Sequence, residues 1–248
     1  MKDRSDHSKA LLTQGFTVLN DIYTAEQIEQ LGTFIEAADQ SGDTFRRTDD
    51  LFAIRQFLKE VPAVSPVIFN PKLTAMIAAL FGCDYFVSKS IYFDKPQKSN
   101  WFVAWHRDLT ISVNKKVSLP HFTNWTVKQN QYAVQPPLCI LRDNFTIRIH
   151  LDDTDKHNGA LRVIPGSHLV EDLSEKRTNN AMETVCEVRA GGIMIMRPLL
   201  MHASNRTVND NRRRVIHIEF SKAALPEEID WSEKIALSSS ATSLRTSF

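Results

Sequence analysis

Cysteine is scarce: Cys83, Cys139 and Cys186 are the only three in 248 residues, and none belongs to a CxxC pair. That spacing excludes a disulfide framework and a cysteine zinc site, and it fits a reducing cytoplasm, the compartment expected here. The three are expected to be buried and inert. Net charge is nearly absent too. Lys plus Arg total 30 and Asp plus Glu 29, leaving +1, which argues against a nucleic-acid partner held by a basic face. No apolar run reaches the roughly 18 residues of a membrane span. The best, Ile193-Met194-Ile195-Met196, stops at Arg197, so no membrane partner is expected. The opening residues Met1-Lys2-Asp3-Arg4-Ser5-Asp6 have no apolar stretch behind them, and no signal peptide is expected. No internal repeat is present. What remains, 42% hydrophobic and 24% charged residues, excludes a disordered chain and supplies a real core.

The first third reads as mostly helical. Thr24 followed by Gln27 forms a capping box, and Ile28, Leu31, Ile35 and Ala38 keep helical spacing. Asn70-Pro71 is a second start signal, with Gly82 as its stop. Ser41 to Asp50 is polar and reads as a loop. From Tyr85 the texture changes to short β-rich runs: Tyr85–Phe93, Phe145–Leu151, Leu161–Ile164, Thr184–Val188, Gly192–Met196 and Arg212–Phe220. Turn signals such as Asn158-Gly159 and Pro165-Gly166 separate them, a pattern that suggests a sandwich or barrel. Residues 109–143 carry Pro120, Pro136 and Pro137 with little periodicity, and read as a functional loop or lid. The tail Ser238–Phe248 is Ser/Thr-rich and reads as frayed.

Two strands are amphipathic in an unusual way. In Phe145–Leu151, Arg148, His150 and Asp152 oppose Ile147, Ile149 and Leu151. In Arg212–Phe220, Arg213, His217 and Glu219 share the face opposite Arg214, Ile216, Ile218 and Phe220. Alternation alone allows either a solvated outer face or a polar cavity inside a barrel.

Eight histidines offer metal chemistry: His7, His106, His121, His150, His157, His168, His202 and His217. Two histidines and one carboxylate on one face of an iron(II) leave the opposite positions open for cosubstrate and dioxygen. A His-x-Asp pair supplies two of the three ligands, and two such pairs exist, His106-Arg107-Asp108 and His150-Leu151-Asp152. With 8 histidines and 17 aspartates, chance placement yields about half of one pair. Spacing therefore leaves both open, with His202 as the distant third ligand. Arg213, eleven residues beyond His202, offers a planar fork for the distal carboxylate of 2-oxoglutarate, and Ser204 could add a hydroxyl donor.

Three segments carry a resemblance: Trp105-His106-Arg107-Asp108-Leu109; Asn158-Gly159-Ala160-Leu161-Arg162-Val163-Ile164-Pro165-Gly166-Ser167-His168; and Pro198-Leu199-Leu200-Met201-His202-Ala203-Ser204 leading to Arg213. In order and spacing the chain resembles the phytanoyl-CoA dioxygenase family of iron(II)- and 2-oxoglutarate-dependent oxygenases, over about residues 85–220. The resemblance implies a mainly β fold with flanking helices: a double-stranded β-helix (jelly roll, cupin-like) with the N-terminal helices packed outside. It implies one oxygenase domain, with a helical part at about 1–83, a jelly-roll core at about 84–222 and a C-terminal tail at about 223–248.

Carried over by position, the resemblance makes His106, Asp108 and His202 the iron ligands. Arg213 becomes the 2-oxoglutarate anchor, with Ser204 assisting and Arg148 beside the cosubstrate. His150 becomes a cavity residue, Arg107 points away from the metal, and His168 pins a turn. The activity implied is oxidation of a small-molecule substrate by O2, with release of succinate and CO2. Because related halogenases lack the ligand carboxylate, the intact Asp108 favours hydroxylation. Trp125, Tyr132, Gln135 and His150 are the candidate substrate contacts. Two rivals stand beside this reading. One is a non-catalytic jelly-roll binding module with a vestigial metal site. The other is a cupin-type metal enzyme that does not use 2-oxoglutarate.

Overall fold

The computed structural model describes residues 4–39, 42–128, 131–169 and 183–237. Helix α1 (Arg4–Thr13), strand β1 (Phe16–Leu19) and helix α2 (Ala25–Glu36) open the chain. At α2, Thr24 Oγ1 accepts from the Gln27 N–H and the Gln27 side chain accepts from the Thr24 N–H, completing the capping box. Strands β2 (Phe45–Thr48) and β3 (Leu51–Arg55) follow, then short helices α3 (Phe57–Glu60) and α4 (Ser65–Ile68), and helix α5 (Pro71–Phe81). Asn70 caps α5 by accepting from the Leu73 N–H, and Gly82 closes it at φ +95°. A side chain at that φ would be strained, so the glycine stop has a steric cause.

The β-rich part runs through β4 (Phe86–Lys95), β5 (Val103–His106), β6 (Ile111–Val113), β7 (Thr123–Lys128) and β8 (Gln131–Gln135). After helix α6 (Leu138–Asp143) come β9 (Phe145–His150), β10 (Leu161–Val163), β11 (Thr184–Cys186), β12 (Ile193–Met196), β13 (His202–Ser204), β14 (Arg213–Ser221) and β15 (Ile235–Ala236). All named pairings are antiparallel. The large sheet is ordered β1-β12-β9-β14-β4-β3-β2, with β15 also on β4. The small sheet is β11-β10-β13-β5. Eight strands (β4, β5 and β9 to β14) are shared between these two sheets, the arrangement of a double-stranded β-helix.

The alternation in β9 and β14 now has its cause. Ile147, Ile149, Ile216, Ile218 and Phe220 join Leu31, Ile35, Leu73 and Ile77 of α2 and α5 in one buried core. Phe145 stacks between Phe81 and Phe220, with ring centroids 3.7 and 4.7 Å away. The helices cover one face of the large sheet and leave Arg148, His150, Arg213, His217 and Glu219 on the other, where all five are buried. The polar face is therefore interior.

Several expectations need correction. The first third contributes β1, β2 and β3 to the large sheet besides its helices, and β2 lies inside the polar stretch read as a loop. Residues 109–143 are not a plain loop, because β6, β8 and β7 form a third antiparallel sheet. Cys83 and Cys139 are exposed, and only Cys186 is buried. The tail 238–248 lies outside the described residues. Among the described residues, no single helix is long and apolar enough to cross a membrane.

Candidate metal centre

β5 and β13 are neighbours in the small sheet, and their register sets His202 opposite His106. The two rings lie 4.2 Å apart, centroid to centroid. Asp108 follows β5 directly and is fixed by its neighbours. Its N–H donates to the Pro198 carbonyl at 2.9 Å. Arg107, between His106 and Asp108, points away, donating to the carbonyls of Leu199 at 3.0 Å and Ser167 at 3.4 Å. Ser167 Oγ in turn accepts from the Met201 N–H at 2.8 Å, which ties the segment before His202 to the same frame. His168 caps this region from outside, with Nε2 3.3 Å from the Leu12 carbonyl.

The imidazoles are oriented for ligation. His106 Nδ1 lies 2.8 Å from the Ala104 carbonyl, and His202 Nδ1 lies 2.9 Å from the Leu200 carbonyl. A carbonyl can only accept, so Nδ1 carries a hydrogen, and in the neutral ring the lone pair is left on Nε2. Both Nε2 atoms point at Asp108, His106 at 3.8 Å from Oδ1 and His202 at 3.8 Å from Oδ2. Those separations lie below the roughly 4.2 Å that two metal–ligand bonds of about 2.1 Å can span. All three donor atoms fall within 4.8 Å of one another.

Asp108 Oδ2 is buried with no hydrogen-bond partner. Buried carboxylate oxygens are rarely left bare, so this one points to a missing cation. Burial alone would raise the Asp108 pKa, but His202, His217, Lys89 and His106 together hold it at about 2. Burial pushes His202 down to about 4 against the pull of Asp108. At neutral pH the carboxylate is charged and His202 is neutral, the protonation states a divalent metal needs. The donor set, two imidazoles and one carboxylate on one face, fits iron(II).

The polar interior continues beyond the triad. Arg213 is buried and donates from one terminal nitrogen to the Gly159 carbonyl at 2.5 Å, while its Nε has no partner. Ser204 Oγ donates to the same carbonyl at 2.9 Å. Arg148 lies 3.1 Å from His217 Nδ1, and its Nε is also unpartnered. His150 pairs its Nδ1 with Thr154 Oγ1 at 2.8 Å, leaving Nε2 buried and bare. Burial, with Arg148 and Arg213 adding to it, drives His150 well below the usual histidine range, so it is neutral.

Sequence reasoning missed Lys89 and Lys95 on β4. Lys89 Nζ pairs with Glu219 at 2.8 Å, and Glu219 meets His217 Nε2 at 3.2 Å. The alternation Lys89-x-Ile91-x-Phe93-x-Lys95 held the signal. Lys95 lies opposite Arg213 and Lys89 opposite Glu219, so both share the polar face.

The rival pair does not converge. Asp152 turns to the outer side and binds Arg214, with the guanidinium within 2.7–3.2 Å of both oxygens and the Arg214 N–H at 2.7 Å. Asp152→Asn is therefore expected to leave iron affinity unchanged and to lower folding stability by about 1–2 kcal/mol. Metal titration and urea unfolding check the two halves. Trp125, Tyr132 and Leu109 each pack against a cluster containing Leu199. Gln135 on β8 accepts from Asn124 of β7 at 2.8 Å. Among the described residues, no hydrogen bond or ion pair links Trp125, Tyr132 or Gln135 to the triad.

Comparison with known proteins agrees with this picture. The chain matches the phytanoyl-CoA dioxygenase family over residues 11–215. No curated protein matches in sequence. Among solved structures, AviO1 from Streptomyces viridochromogenes Tue57 superposes with a TM-score of 0.67 at 20% identity, covering 91% of this chain and 98% of that one. EctD from S. alaskensis, solved with 2-oxoglutarate and 5-hydroxyectoine, gives 0.67 at 18% identity, covering 89% and 76%. HygX from Streptomyces hygroscopicus, solved with nickel, 2-oxoglutarate and hygromycin B, gives 0.62 at 14% identity, covering 87% and 86%.

Proposed function

Because the chain belongs to the phytanoyl-CoA dioxygenase family, we propose that His106, Asp108 and His202 hold iron(II) and that Arg213, with Ser204 and Arg148, holds 2-oxoglutarate. The protein is an iron(II)- and 2-oxoglutarate-dependent oxygenase. The assignment of its site rests on one observation above the others: two imidazole Nε2 lone pairs and a bare, charged carboxylate oxygen converge on one point.

The residues divide the work. The Ala104 and Leu200 carbonyls hold a hydrogen on each Nδ1 and so turn Nε2 of His106 and of His202 toward Asp108. Asp108 would supply the negative charge and one ligand oxygen, and Arg148 and His217 lie close enough to act on it electrostatically. Arg213 presents its fork to the distal carboxylate, and its unpartnered Nε gives that carboxylate a donor to claim. Bound there, iron(II) and 2-oxoglutarate supply the oxidation: O2 is consumed, 2-oxoglutarate becomes succinate and CO2, and one oxygen atom enters a C–H bond of the substrate as hydroxyl. The helices on the far side of the large sheet seal its apolar face in the main core.

The chain reads as a single oxygenase unit acting on a small molecule. Trp125, Tyr132 and Gln135, on the sheet β6-β8-β7, remain the proposed substrate-side residues. Trp125 and Tyr132 rest on the cluster that includes Leu199, whose carbonyl pins Arg107 between the two ligands. His150, neutral with a free Nε2, offers one further polar contact.

Chelation tests the assignment. With 2-oxoglutarate, air and ascorbate as the two-electron reductant, the iron-loaded protein is expected to form succinate slowly even without substrate, the second oxygen atom leaving as water. A chelator should abolish this, iron(II) should restore it, and zinc(II), which has no redox chemistry, should not. Succinate formation that survives chelation, or that zinc restores, contradicts the assignment.

A further inference from the structure

Lys95 ends β4, yet it is 0% exposed. A buried ammonium normally sits against a carboxylate. Here its cross-strand partner is another buried cation, Arg213. Like charges directly opposite each other destabilise a sheet. Among the described residues, neither makes an ion pair with an acid. Lys95 Nζ donates to the Asn205 carbonyl at 2.5 Å and lies 5.7 Å from the Trp101 ring centroid. The charged groups acting on it are Arg213 from β14 and Asp50 from the segment before β3. Asp50 Oδ1 already accepts from the Asn100 N–H at 2.6 Å. Arg213 feels Arg148 from β9 and no acid.

Three donors thus converge on one spot. Arg213 and Ser204 both spend a hydrogen on the Gly159 carbonyl, and Lys95 spends one on Asn205. Gly159, at φ +85°, is what lets them approach. A Cβ there would stand 2.9 Å from Lys95 Nζ, 2.8 Å from the Asn205 carbonyl oxygen and 3.4 Å from Ser204 Oγ. The site concentrates positive charge and hydrogen-bond donors with no anion of its own, which is costly unless an anion is to arrive.

We propose that Lys95 is a second cationic anchor for the distal carboxylate of 2-oxoglutarate, closing on it from the strand opposite Arg213. This rests on the cosubstrate reading above. Arg213 contributes a planar fork and Lys95 a point charge with N–H hydrogens to spare, and Ser204 joins them by turning its one hydrogen from the Gly159 carbonyl to the carboxylate. Burial, with Arg213 adding to it and Asp50 opposing, lowers the Lys95 pKa to about 7. An arriving carboxylate favours the charged form. Above pH 7, binding therefore draws a proton onto Lys95, and affinity falls by about tenfold per pH unit.

A cosubstrate pair separates this role from a structural one. 2-Oxopentanoate keeps the keto acid end and the five-carbon chain but lacks the distal carboxylate. Binding of each is followed anaerobically in the iron(II) protein through its visible charge-transfer band. Lys95→Met is expected to weaken 2-oxoglutarate by about 10- to 100-fold and to leave 2-oxopentanoate unchanged. Lys95→Arg should recover part of the loss. In wild-type protein at pH 8, calorimetry in two buffers should show 2-oxoglutarate taking up close to one proton more than 2-oxopentanoate. Equal losses for both compounds, or no loss for either, overturn the inference. If Lys95→Met does not fold, a proton difference of zero in the wild type overturns it instead. A wild type that gives no band with either compound overturns the cosubstrate reading itself.

Discussion

His202→Ala should lower iron(II) affinity by about 100-fold or more and abolish 2-oxoglutarate turnover. Changes to groups that merely orient a metal ligand cost about 10- to 100-fold in affinity, and His202 is itself a proposed ligand. Its ring is buried, held by the Leu200 carbonyl, and aimed at Asp108. Alanine removes one of three donors and leaves the Asp108 charge buried with less to offset it. The fold should survive, because β13 keeps its pairing with β10 and β5 through backbone bonds. The matched control is His150→Ala. His150 is equally buried but contacts Thr154 and not Asp108, so iron affinity should hold. Metal titration by calorimetry, with circular dichroism to confirm folding, reads both variants.

Arg213→Met should weaken 2-oxoglutarate by about 100- to 1,000-fold while iron(II) binds as before. Truncating one partner of a buried charge pair costs roughly 2–5 kcal/mol, and each 1.4 kcal/mol is tenfold. Arg213 is separated from the triad in function: its contact is the Gly159 carbonyl, and its neighbours are Arg148 and Lys95. Arg213→Lys should recover little, because an ammonium cannot reproduce the planar fork. A metal enzyme that ignores 2-oxoglutarate would lose nothing in either variant. Joint loss of iron and cosubstrate affinity would mean that Arg213 supports the fold and not the ligand.

The proposed metal ligands were legible only through the resemblance, because spacing alone left both His-x-Asp pairs open. His106-Arg107-Asp108 and His202 with Arg213 eleven residues on form a pattern of residue types. The two His-x-Asp pairs are separated in space by a feature that strand alternation hides. His150 lies on the inner face of β9, but Asp152 has left the strand and turned to Arg214. The helix starts at Thr24 and Asn70 were legible because capping is a three-residue interaction. The strands carrying His106 and His202 were not: β5 and β13 have four and three residues, too few for a period. β7 escaped for another reason. It is mostly exposed along its length, so no apolar face alternates with a polar one. Lys95 was invisible because its significance lies in the register that sets it against Arg213, a partner 118 residues away in the chain. Cys83 and Cys139 were misplaced by a residue-type average. One follows the Gly82 stop and the other sits in α6, and both are at the surface.

The most direct measurement is an anaerobic visible titration of apoprotein with iron(II) and then 2-oxoglutarate. The geometry predicts a weak charge-transfer band at one equivalent of each in the wild type, retained in Asp152→Asn and missing in His202→Ala. A band that persists in His202→Ala, or folded wild-type protein that binds iron(II) and never develops the band, would contradict the assignment of His106, Asp108 and His202 as the centre of a 2-oxoglutarate oxygenase.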